Sequence, residues 1–334
     1  MEFPFLYVEW LSKPLWMWLA FLAIVIALLV FDLGILHKEN REIEVRESLV
    51  LSVGYIGMGV AFGAWVWWYL GPQSGMEYMT GFAVEKTLAM DNVFVIAMIF
   101  SYFAIPRLYQ HRVLFWGILG VIVLRAIMIG IGAPIVENFS WVLYIFAVFL
   151  ILTGVKMIWM GDQKPDLADN PALRFMKRRF HVTEKLHGEK FFVKLPDPKA
   201  PPGSGRMANF MTPLFVALVL IEIADVIFAV DSVPAIFLIT TDPFIVYTSN
   251  IFAILGLRAL YFALAAMVHR FAYLKYALSV LLIFIGSKIF IAWAMGWEKF
   301  PPVWGLGITL AILSAGILFS LWKTKDNAVR SSVA

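Results

Sequence analysis

The sequence places carboxylates inside segments that are apolar enough to cross a lipid bilayer. Five such acids fall into two segments, and they are Glu85, Asp91, Glu222, Asp225 and Asp231. A charged side chain at the bilayer centre costs about 2.5–3.5 kcal/mol on insertion scales unless it faces a polar pathway or a counter-ion. Acids in these positions are therefore functional candidates. The chemistry they offer is the binding of a cation that crosses the membrane.

The other polar groups of these segments favour a hard cation. The chain has no cysteine, and its five histidines fall in predicted loops or at the ends of predicted spans. The interior offers oxygen from carboxylates, backbone carbonyls, the amides of Asn92 and Asn250 and the hydroxyl of Ser232. Oxygen ligands suit Mg²⁺, Ca²⁺ or Mn²⁺ and disfavour Zn²⁺ or Cu⁺. Asp32, near the inner end of the first span, is a further candidate ligand or proton relay.

Basic residues inside the predicted spans support a competing interpretation. They are Lys86, Arg125, Lys156, Arg258 and Lys288. We expect Arg125 and Arg258, together with Lys86 and Lys288, to balance the charge of the acids. The alternative is a purely structural network of salt bridges that holds the helices together without an ion. Because Lys156 lies near the cytoplasmic end of its span, its ammonium can instead reach the membrane surface.

Composition indicates an all-α, polytopic membrane protein. Of the 334 residues, 61% are hydrophobic and only 15% are charged, whereas a soluble globular protein has about 25% charged residues. The mean hydropathy is +0.82. A span needs about 20 mostly apolar residues. Nine segments meet this requirement, at roughly 15–36, 48–70, 79–103, 113–136, 139–160, 211–239, 247–268, 273–296 and 302–322.

The distribution of basic residues predicts the orientation. With the N-terminus outside, the segments that face the cytoplasm contain 20 of the lysines and arginines, and the external segments contain only Lys13 and Lys299. The positive-inside rule therefore predicts an N-out, C-in protein. The N-terminus lacks a basic region and a small-residue cleavage site, so the first apolar segment is expected to be a retained span and not a signal peptide.

The two acidic segments resemble each other and mark an internal repeat. EKTLAMDNV at 85–93 aligns without a gap with DVIFAVDSV at 225–233. LRA recurs at 124–126 and 257–259, and GVK at 154–156 corresponds to GSK at 286–288. Each copy has three spans, so the second copy enters the membrane in the opposite sense. Inverted repeats of this kind are typical of secondary transporters, with the site where the repeats meet.

The repeat divides the chain into five parts. These are the first two spans (1–78), repeat one (79–160), a basic cytoplasmic loop (161–210), repeat two (211–296), and the ninth span with a cytoplasmic tail (297–334). In the loop, LRFMKRRF at 173–180 is a short basic amphipathic segment expected on the anionic inner leaflet. KFFVKLPDPKAPPGSG at 190–205 is strand-like and then turn-like.

The spacing of the acids predicts a distorted helix. Asp225 and Asp231 are six residues apart, about 120° from each other on an ideal helix, so an unbroken helix would not direct both to one point. Pro234 follows Asp231 by three residues. We therefore expect a kinked or unwound segment near 225–234, where freed carbonyl groups could join the site.

The chain resembles the TerC family of membrane proteins, and within it an Alx-like branch. The matching stretches are FDLGILHK (31–38), EKTLAMDNVFV (85–95), EIADVIFAVDSVPA (222–235), DPFIVYTSNIFAILGLRALYF (242–262) and LLIFIGSK (281–288). The resemblance implies a bacterial inner-membrane protein that exports Mn²⁺, in a family first associated with tellurium-ion resistance. It also implies that the five acids of the two segments line the metal pathway.

The expected function is secondary-active Mn²⁺ efflux by alternating access, coupled to protons, with Asp91 and Asp231 as central ligands. No Walker A sequence is present, so direct ATP drive is excluded. The expected partners are the transported divalent cation (Mn²⁺, with Ca²⁺ or Mg²⁺ as alternatives), membrane lipids and a second copy of the chain, with no nucleic acid and no tightly bound cofactor. The alternative is a membrane scaffold that recruits stress-response partners through the 161–210 loop. An enzyme is not expected, because no cofactor motif or nucleophile–histidine pair accompanies the paired aspartates.

Overall fold

Helices make up most of the described chain, as expected for apolar segments that must satisfy their own backbone hydrogen bonds in lipid. The structure, a computed structural model, describes residues 4–34, 45–159, 170–196, 206–265 and 273–331. The helices are α1 (Leu15–Gly34), α2 (Val45–Leu70), α3 (Pro72–Tyr102), α4 (Arg107–Asn138), α5 (Val142–Trp159), α6 (Pro171–Arg179), α7 (Pro213–Phe237), α8 (Pro243–Leu255), α9 (Leu257–Ala265), α10 (Leu274–Ala294) and α11 (Pro302–Ser331).

Two short hairpins complete the described elements. Strands β1 (Glu9–Trp10) and β2 (Lys13–Pro14) pair in front of α1. Strands β3 (Phe192–Pro196) and β4 (Met207–Met211) form an antiparallel pair before α7, and β3 coincides with the strand-like segment predicted in the loop.

Six of the helices are long and apolar enough to cross a membrane, and the number rises to seven if α8 and α9 form one bent span. The six are α2, α4, α5, α7, α10 and α11. Helix α1 qualifies only as a shorter apolar helix, over Leu15–Phe31. Helix α3 has 31 residues, but charged groups interrupt its apolar sequence. Each of the nine predicted spans overlaps a helix or the bent pair, while the count of nine and the orientation stay predictions.

Of the predicted kinked or unwound segment near 225–234, the unwinding is wrong and the kink stays a prediction. Helix α7 is continuous through these residues and contains Pro234 near its C-terminal end. A proline in that position removes one backbone hydrogen bond. Because Pro234 lies close to the end of α7, the loss does not interrupt the helix. The broken span is instead the α8–α9 pair, which is bent by 40°.

Gly256 separates α8 from α9, and its surroundings require a glycine at this position. A β-carbon at Gly256 would lie 2.8 Å from the β-carbon of Tyr55 and 3.0 Å from Nζ of Lys86, so no larger residue fits without a shift. The Lys86 ammonium donates a hydrogen bond of 3.0 Å to the carbonyl oxygen of Ala253. It thereby satisfies one of the carbonyls that a helix leaves free at its C-terminus, and its charge complements the helix dipole.

The helices that carry the acids lie in the middle of the bundle. Helix α3 packs against α8, and α4 packs against α7. Under the predicted repeat, α3 corresponds to α7 and α4 to the α8–α9 span, so each of these contacts is the counterpart of the other. Helix α5 packs most extensively against α10, its own counterpart. This arrangement supports the predicted repeat.

The crossing of α5 and α10 is reciprocal at the level of single residues. A β-carbon at Gly154 would lie 2.6 Å from the carbonyl oxygen of Ser279 and 2.7 Å from Cγ1 of Ile283. A β-carbon at Gly286 would lie 2.5 Å from the carbonyl oxygen of Ala147 and 2.8 Å from Cγ1 of Ile151. Ser279 and Ile283 precede Gly286 by the same numbers of residues as Ala147 and Ile151 precede Gly154, so the two sets of contacts correspond residue by residue. Both glycines are therefore needed for one close, self-matching helix crossing.

Alanine at either glycine should destabilise the protein by a similar amount. Gly154→Ala and Gly286→Ala each place a methyl group against a backbone oxygen that cannot rotate away, and overpacking of this kind costs about 1–3 kcal/mol. Thermal unfolding in detergent measures the loss. Gly57→Ala is the matched control, because a β-carbon at Gly57 meets no atom within 4 Å. A large loss in only one of the two crossing variants would contradict the reciprocal packing.

The part of the loop that the structure describes is docked on the bundle. Helix α6 starts at Asn170, whose side chain accepts hydrogen bonds from the backbone of Ala172 and Leu173. Leu173 and Met176 are buried against the core around α4 and α7, and the basic residues of the helix are exposed. Arg112 of α4 forms an ion pair of 3.3 Å with Glu189 of the loop. The predicted amphipathic segment is thus a helix held on this end of the bundle.

Candidate cation-binding site

A buried ion pair connects α3 and α4 at the centre of the bundle. Nη2 of Arg125 lies 2.8 Å from Oε1 of Glu85, and both side chains are 3% exposed. Two charges that leave water lose much of their solvation free energy, and their attraction offsets this loss only if the remaining hydrogen-bonding groups are also satisfied. The other contacts of the pair therefore decide what the site can do.

Arg125 also extends the pair to α7. Its Nη1 donates a short hydrogen bond to the hydroxyl of Ser232. The planar guanidinium carries several donors in a fixed geometry, so one side chain can hold a carboxylate and a hydroxyl at the same time. Through Arg125, the acidic helix of the first predicted repeat is linked to the acidic helix of the second.

Two asparagines hold the carboxylates of the two repeats. Nδ2 of Asn250, on α8, donates to Oε2 of Glu85 at 3.1 Å. Nδ2 of Asn92, on α3, donates to Oδ1 of Asp225 on α7 at 2.9 Å. An ionised carboxylate only accepts hydrogen bonds, so these contacts fix which end of each amide faces the acid. The amide oxygens of both asparagines therefore point away from the carboxylates.

Three buried oxygens at this site have no hydrogen-bond partner among the described residues. They are Oδ1 of Asn92, Oδ1 of Asn250 and Oε2 of Glu222. A buried polar atom without a partner costs about 1–3 kcal/mol, so native proteins rarely keep one without a reason. Oxygen atoms of these types are the ligands that hard cations prefer.

Glu222 reaches the site because α4 has glycines opposite it. A β-carbon at Gly120 would overlap the Glu222 carboxylate, and one at Gly117 would lie 4.0 Å from Oε1. A glycine pair with this spacing usually permits two helix backbones to approach. Here it also makes room for a carboxylate of α7. The short segment 117–120 is thus part of the site, which its sequence does not reveal.

Asp231 lies beside a small cavity that adjoins this network. The cavity has a volume of about 50 Å³, and its polar lining consists of Asn92, Arg125, Asp231 and Ser232. Space of this size holds an ion or a few water molecules. On the other side, Thr153 and Lys156 of α5 are the polar neighbours of Asp231. The cavity therefore connects Asp231 with the residues that hold Glu85 and Asp225.

The structure brings some of the predicted site residues together and places others elsewhere. Glu85, Arg125, Ser232 and Asn250 form one hydrogen-bonded group, and Asn92 and Asp225 form a second. The cavity beside Asp231 adjoins both groups through Arg125 and Asn92, and Glu222 lies near Asp225. The side chains of Asp91 and Asp32 lie outside the described residues, and their predicted roles stay predictions. Among the side chains that the structure does describe, no three of the types His, Cys, Asp and Glu converge on one point.

Two of the predicted charge-balancing residues, Lys86 and Lys288, lie beside groups other than the five candidate acids. Lys86 donates to the Ala253 carbonyl at the end of α8, as described above. Lys288 lies in a separate chamber, where Glu77 is the carboxylate that acts on it. Arg258, in contrast, is 3% exposed on α9, inside the bundle. Sequence position alone places a lysine in a span but does not show which oxygen it faces.

Comparisons with known proteins agree with this architecture. A model described as "Integral membrane protein TerC family" matches residues 70–328. An "Uncharacterized membrane protein" of Rickettsia bellii is 46% identical over 304 residues, which cover 91% of this chain and 96% of that protein. A protein of Photorhabdus laumondii named "Putative membrane-bound redox modulator Alx" is 43% identical over 329 residues, 96% of this chain and 98% of its own length.

An Escherichia coli K12 protein with the same name is 40% identical over 315 residues, which cover 92% of this chain and 94% of that protein. No solved structure matches the chain.

Proposed function

The chain belongs to the TerC family of integral membrane proteins, and on this basis we propose that it is a secondary transporter that exports Mn²⁺ across the bacterial inner membrane. The substrate binds between α3 and α7, where Glu85 and Asp225 supply carboxylates from the two repeats. Glu222, Asp231, Asn92 and Asp91 complete the pathway.

The observation that carries this proposal is that Oδ1 of Asn92, Oδ1 of Asn250 and Oε2 of Glu222 are buried without a hydrogen-bond partner among the described residues. A structural network of salt bridges would be expected to use its buried acceptors, because each unused acceptor destabilises the fold. The amides of Asn92 and Asn250 instead donate to the acids and leave their oxygens free of described partners. Mn²⁺ accepts carboxylate and carbonyl-type oxygen, and the site offers both.

The charges of the cluster also fit a divalent substrate. With all four groups ionised, Glu85, Asp225 and Glu222 carry three negative charges and Arg125 carries one positive charge. The remainder of two negative charges equals the charge of one Mn²⁺ ion when the charge of Asp231 is offset by Lys156, its neighbour on α5. A buried cluster with no net charge is much less costly in a membrane than a charged one.

Arg125 couples substrate binding to a change in the helices. Oε1 of Glu85 is held by Arg125 and Oε2 by Asn250, so a cation that takes Glu85 as a ligand competes with the guanidinium for the charge of this carboxylate. Ser232 on α7 already accepts from the same guanidinium and provides a place for it to remain. Exchange of Arg125 and Mn²⁺ at Glu85 thus alters how α3, α4 and α7 are joined.

Protons are the proposed coupling ion. Protonation of the carboxylates neutralises the carrier after the metal has left, and it also weakens metal binding, so one event serves both the release and the return step. The reciprocal crossing of α5 and α10 supports alternating access, because transporters with inverted repeats move one set of helices against the other around a fixed site.

The names of two relatives refer to redox modulation. For this chain we favour transport instead, because the candidate site is rich in oxygen ligands. The 334 residues contain no cysteine, so no thiol couple is available within them.

Flux measurements on the purified protein in liposomes test the proposal. Vesicles loaded with Mn²⁺ should lose it when a proton gradient is imposed, and loss should be slower with Mg²⁺ or Ca²⁺ inside. Liposomes without protein give the background, and a protonophore should remove the effect of the gradient. Fluxes of all three ions at the background rate would refute the proposed transport. The scaffold alternative predicts that result, together with loss of metal resistance in cells after deletion of part of the 161–210 loop.

A further inference from the structure

A second and larger cavity lies at the end of the bundle where α3 begins and where α7 and α10 end. This end chamber has a volume of about 340 Å³. Its polar lining includes Glu77 and Thr80 of α3, Lys288 of α10 and Thr240 after α7, with Glu298 and Lys299 near the start of α11. The connections α4–α5, α7–α8 and α10–α11 all contribute residues, so the chamber belongs to one end of the bundle.

The lysine of the end chamber indicates that water fills it. Lys288 is only 7% exposed, and its ammonium lies 5.9 Å from the Phe284 ring and 5.8 Å from the Phe300 ring. Glu77, on the same chamber, is the carboxylate whose charge acts on this ammonium. An ammonium has three donors, and leaving them unpaired in an apolar medium is costly. The chamber has room for on the order of ten water molecules to accept from them.

Glu77 gives the same chamber a buried carboxylate. It is 8% exposed, and its Oε1 accepts a hydrogen bond of 3.1 Å from Gln73. Glu77 lies two turns before Glu85 on α3, so the chamber and the central site share one helix.

A thin apolar layer separates the chamber from the central site. Thr80 lines the chamber, and Glu85 follows only five residues later, about 7.5 Å along the helix. Between them, a β-carbon at Gly81 would overlap Cδ1 of Ile236 and lie 3.0 Å from Oγ of Ser249. Ile236 is 2% exposed. Helices α3, α7 and α8 thus meet at Gly81, and no side chain of α3 holds them apart.

We propose that the end chamber is the outer vestibule through which the hydrated divalent cation leaves, and that Ile236 against Gly81 is its closed gate. This inference rests on the proposed function and on the predicted N-out orientation. Glu77 receives the cation above the gate. The positive charge of Lys288 keeps Glu77 from holding the cation tightly, so that it passes on to the external solution.

Two threonines of α3 provide a matched test, and the absence of cysteine makes single-cysteine labelling direct. Thr80 and Thr87 are both buried, lie on the same helix face, and each donates its hydroxyl hydrogen to the carbonyl four residues earlier. Thr80 lines the chamber, and Thr87 lies two turns deeper, beyond Gly81. Thr80→Cys should be labelled fully by a membrane-impermeant thiol reagent added outside. Thr87→Cys should stay unlabelled until Ile236→Ala is added.

The outcomes separate the vestibule from the transport proposal, because labelling requires no flux. Equal labelling of the two cysteines, or labelling of Thr80→Cys only from inside, would overturn the vestibule. Thr240→Cys, in the same chamber, is the second reporter if Thr80→Cys does not fold. Absence of Mn²⁺ flux together with labelling of Thr80→Cys from outside would refute Mn²⁺ as the transported ion, and the vestibule would still be supported.

The proposed roles of Glu77 and Lys288 can be tested by whether Mn²⁺ alone protects Thr80→Cys from labelling. External Mn²⁺ should slow the labelling of Thr80→Cys. Lys288→Gln should lower the half-protecting concentration by about tenfold, because it removes a positive charge in a poorly screened chamber. Lys323→Gln removes the same charge at an exposed position far along α11 from the chamber, and it should change this concentration by less than about twofold. Equal effects of the two substitutions, or no protection, would contradict the assigned roles.

Discussion

Replacing Asp225 with asparagine should abolish Mn²⁺ export, lowering the initial rate by at least about a hundredfold, equivalent to about 2.7 kcal/mol. The substitution removes a negative charge from the pathway but keeps an oxygen that can accept from Asn92. The shape of the site and the link between α3 and α7 are therefore retained. Glu85→Gln should have a comparable effect, since Glu85 is the carboxylate for which Arg125 and the substrate compete.

Initial rates in liposomes loaded with Mn²⁺ measure this loss, and thermal unfolding shows whether the variant is folded. Glu137→Gln is the matched control, because it removes a carboxylate at an exposed position of α4 and should keep the full rate. Asp91→Asn and Asp231→Asn, the acids predicted to be central, should also lose transport. Wild-type rates in both Asp225→Asn and Glu85→Gln would end the assignment of the central site.

Replacing Arg125 with methionine should destabilise the protein by about 3–5 kcal/mol, because it leaves Glu85 buried without its counter-ion. Arg125→Lys keeps the charge but not the planar group that reaches both Glu85 and Ser232, so its loss should be smaller but clear. Thermal or denaturant unfolding in one detergent allows the variants to be compared.

A second arginine on the same helix provides the control. Arg112 pairs with Glu189 at 3.3 Å, but the two side chains are 39% and 28% exposed. Removing an exposed pair costs about 1 kcal/mol or less, so Arg112→Met should change stability little. The double variant Arg125→Met/Glu85→Gln should recover much of the stability lost in Arg125→Met. Equal stability of Arg112→Met and Arg125→Met would show that the central ion pair contributes no more than a surface pair.

The sequence predicts the acids of the site better than their partners. Glu85 and Asp225 were recognisable because a carboxylate in an apolar segment is costly, and the structure gives each a buried polar partner, Arg125 for Glu85 and Asn92 for Asp225. Lys86 and Lys288 have long flexible side chains that can face any oxygen within several ångströms. Which oxygen they face depends on the break after α8 and on the end chamber, and no local pattern encodes either.

The position of the broken helix shows the same limit. Pro234 is the strongest helix-breaking signal in the second acidic span, yet it lies near the end of α7, where a lost hydrogen bond has little effect. Gly256 is a weaker signal in the sequence. Its position at the break is crowded by Tyr55 and Lys86, which come from two other helices and leave no space for a side chain. Long-range packing therefore outweighs the local preference of the backbone.

The contact between Gly154 and Gly286 has a consequence for the origin of the molecule. In this interface, Gly154 contacts α10 in the same way as Gly286 contacts α5. Reciprocal contacts of this kind join identical subunits in a symmetric dimer. The α5–α10 crossing is thus a homodimer-like junction within one chain. It is the contact that the predicted repeat would produce if two copies of one polypeptide, inserted in opposite directions, were joined by gene duplication and fusion.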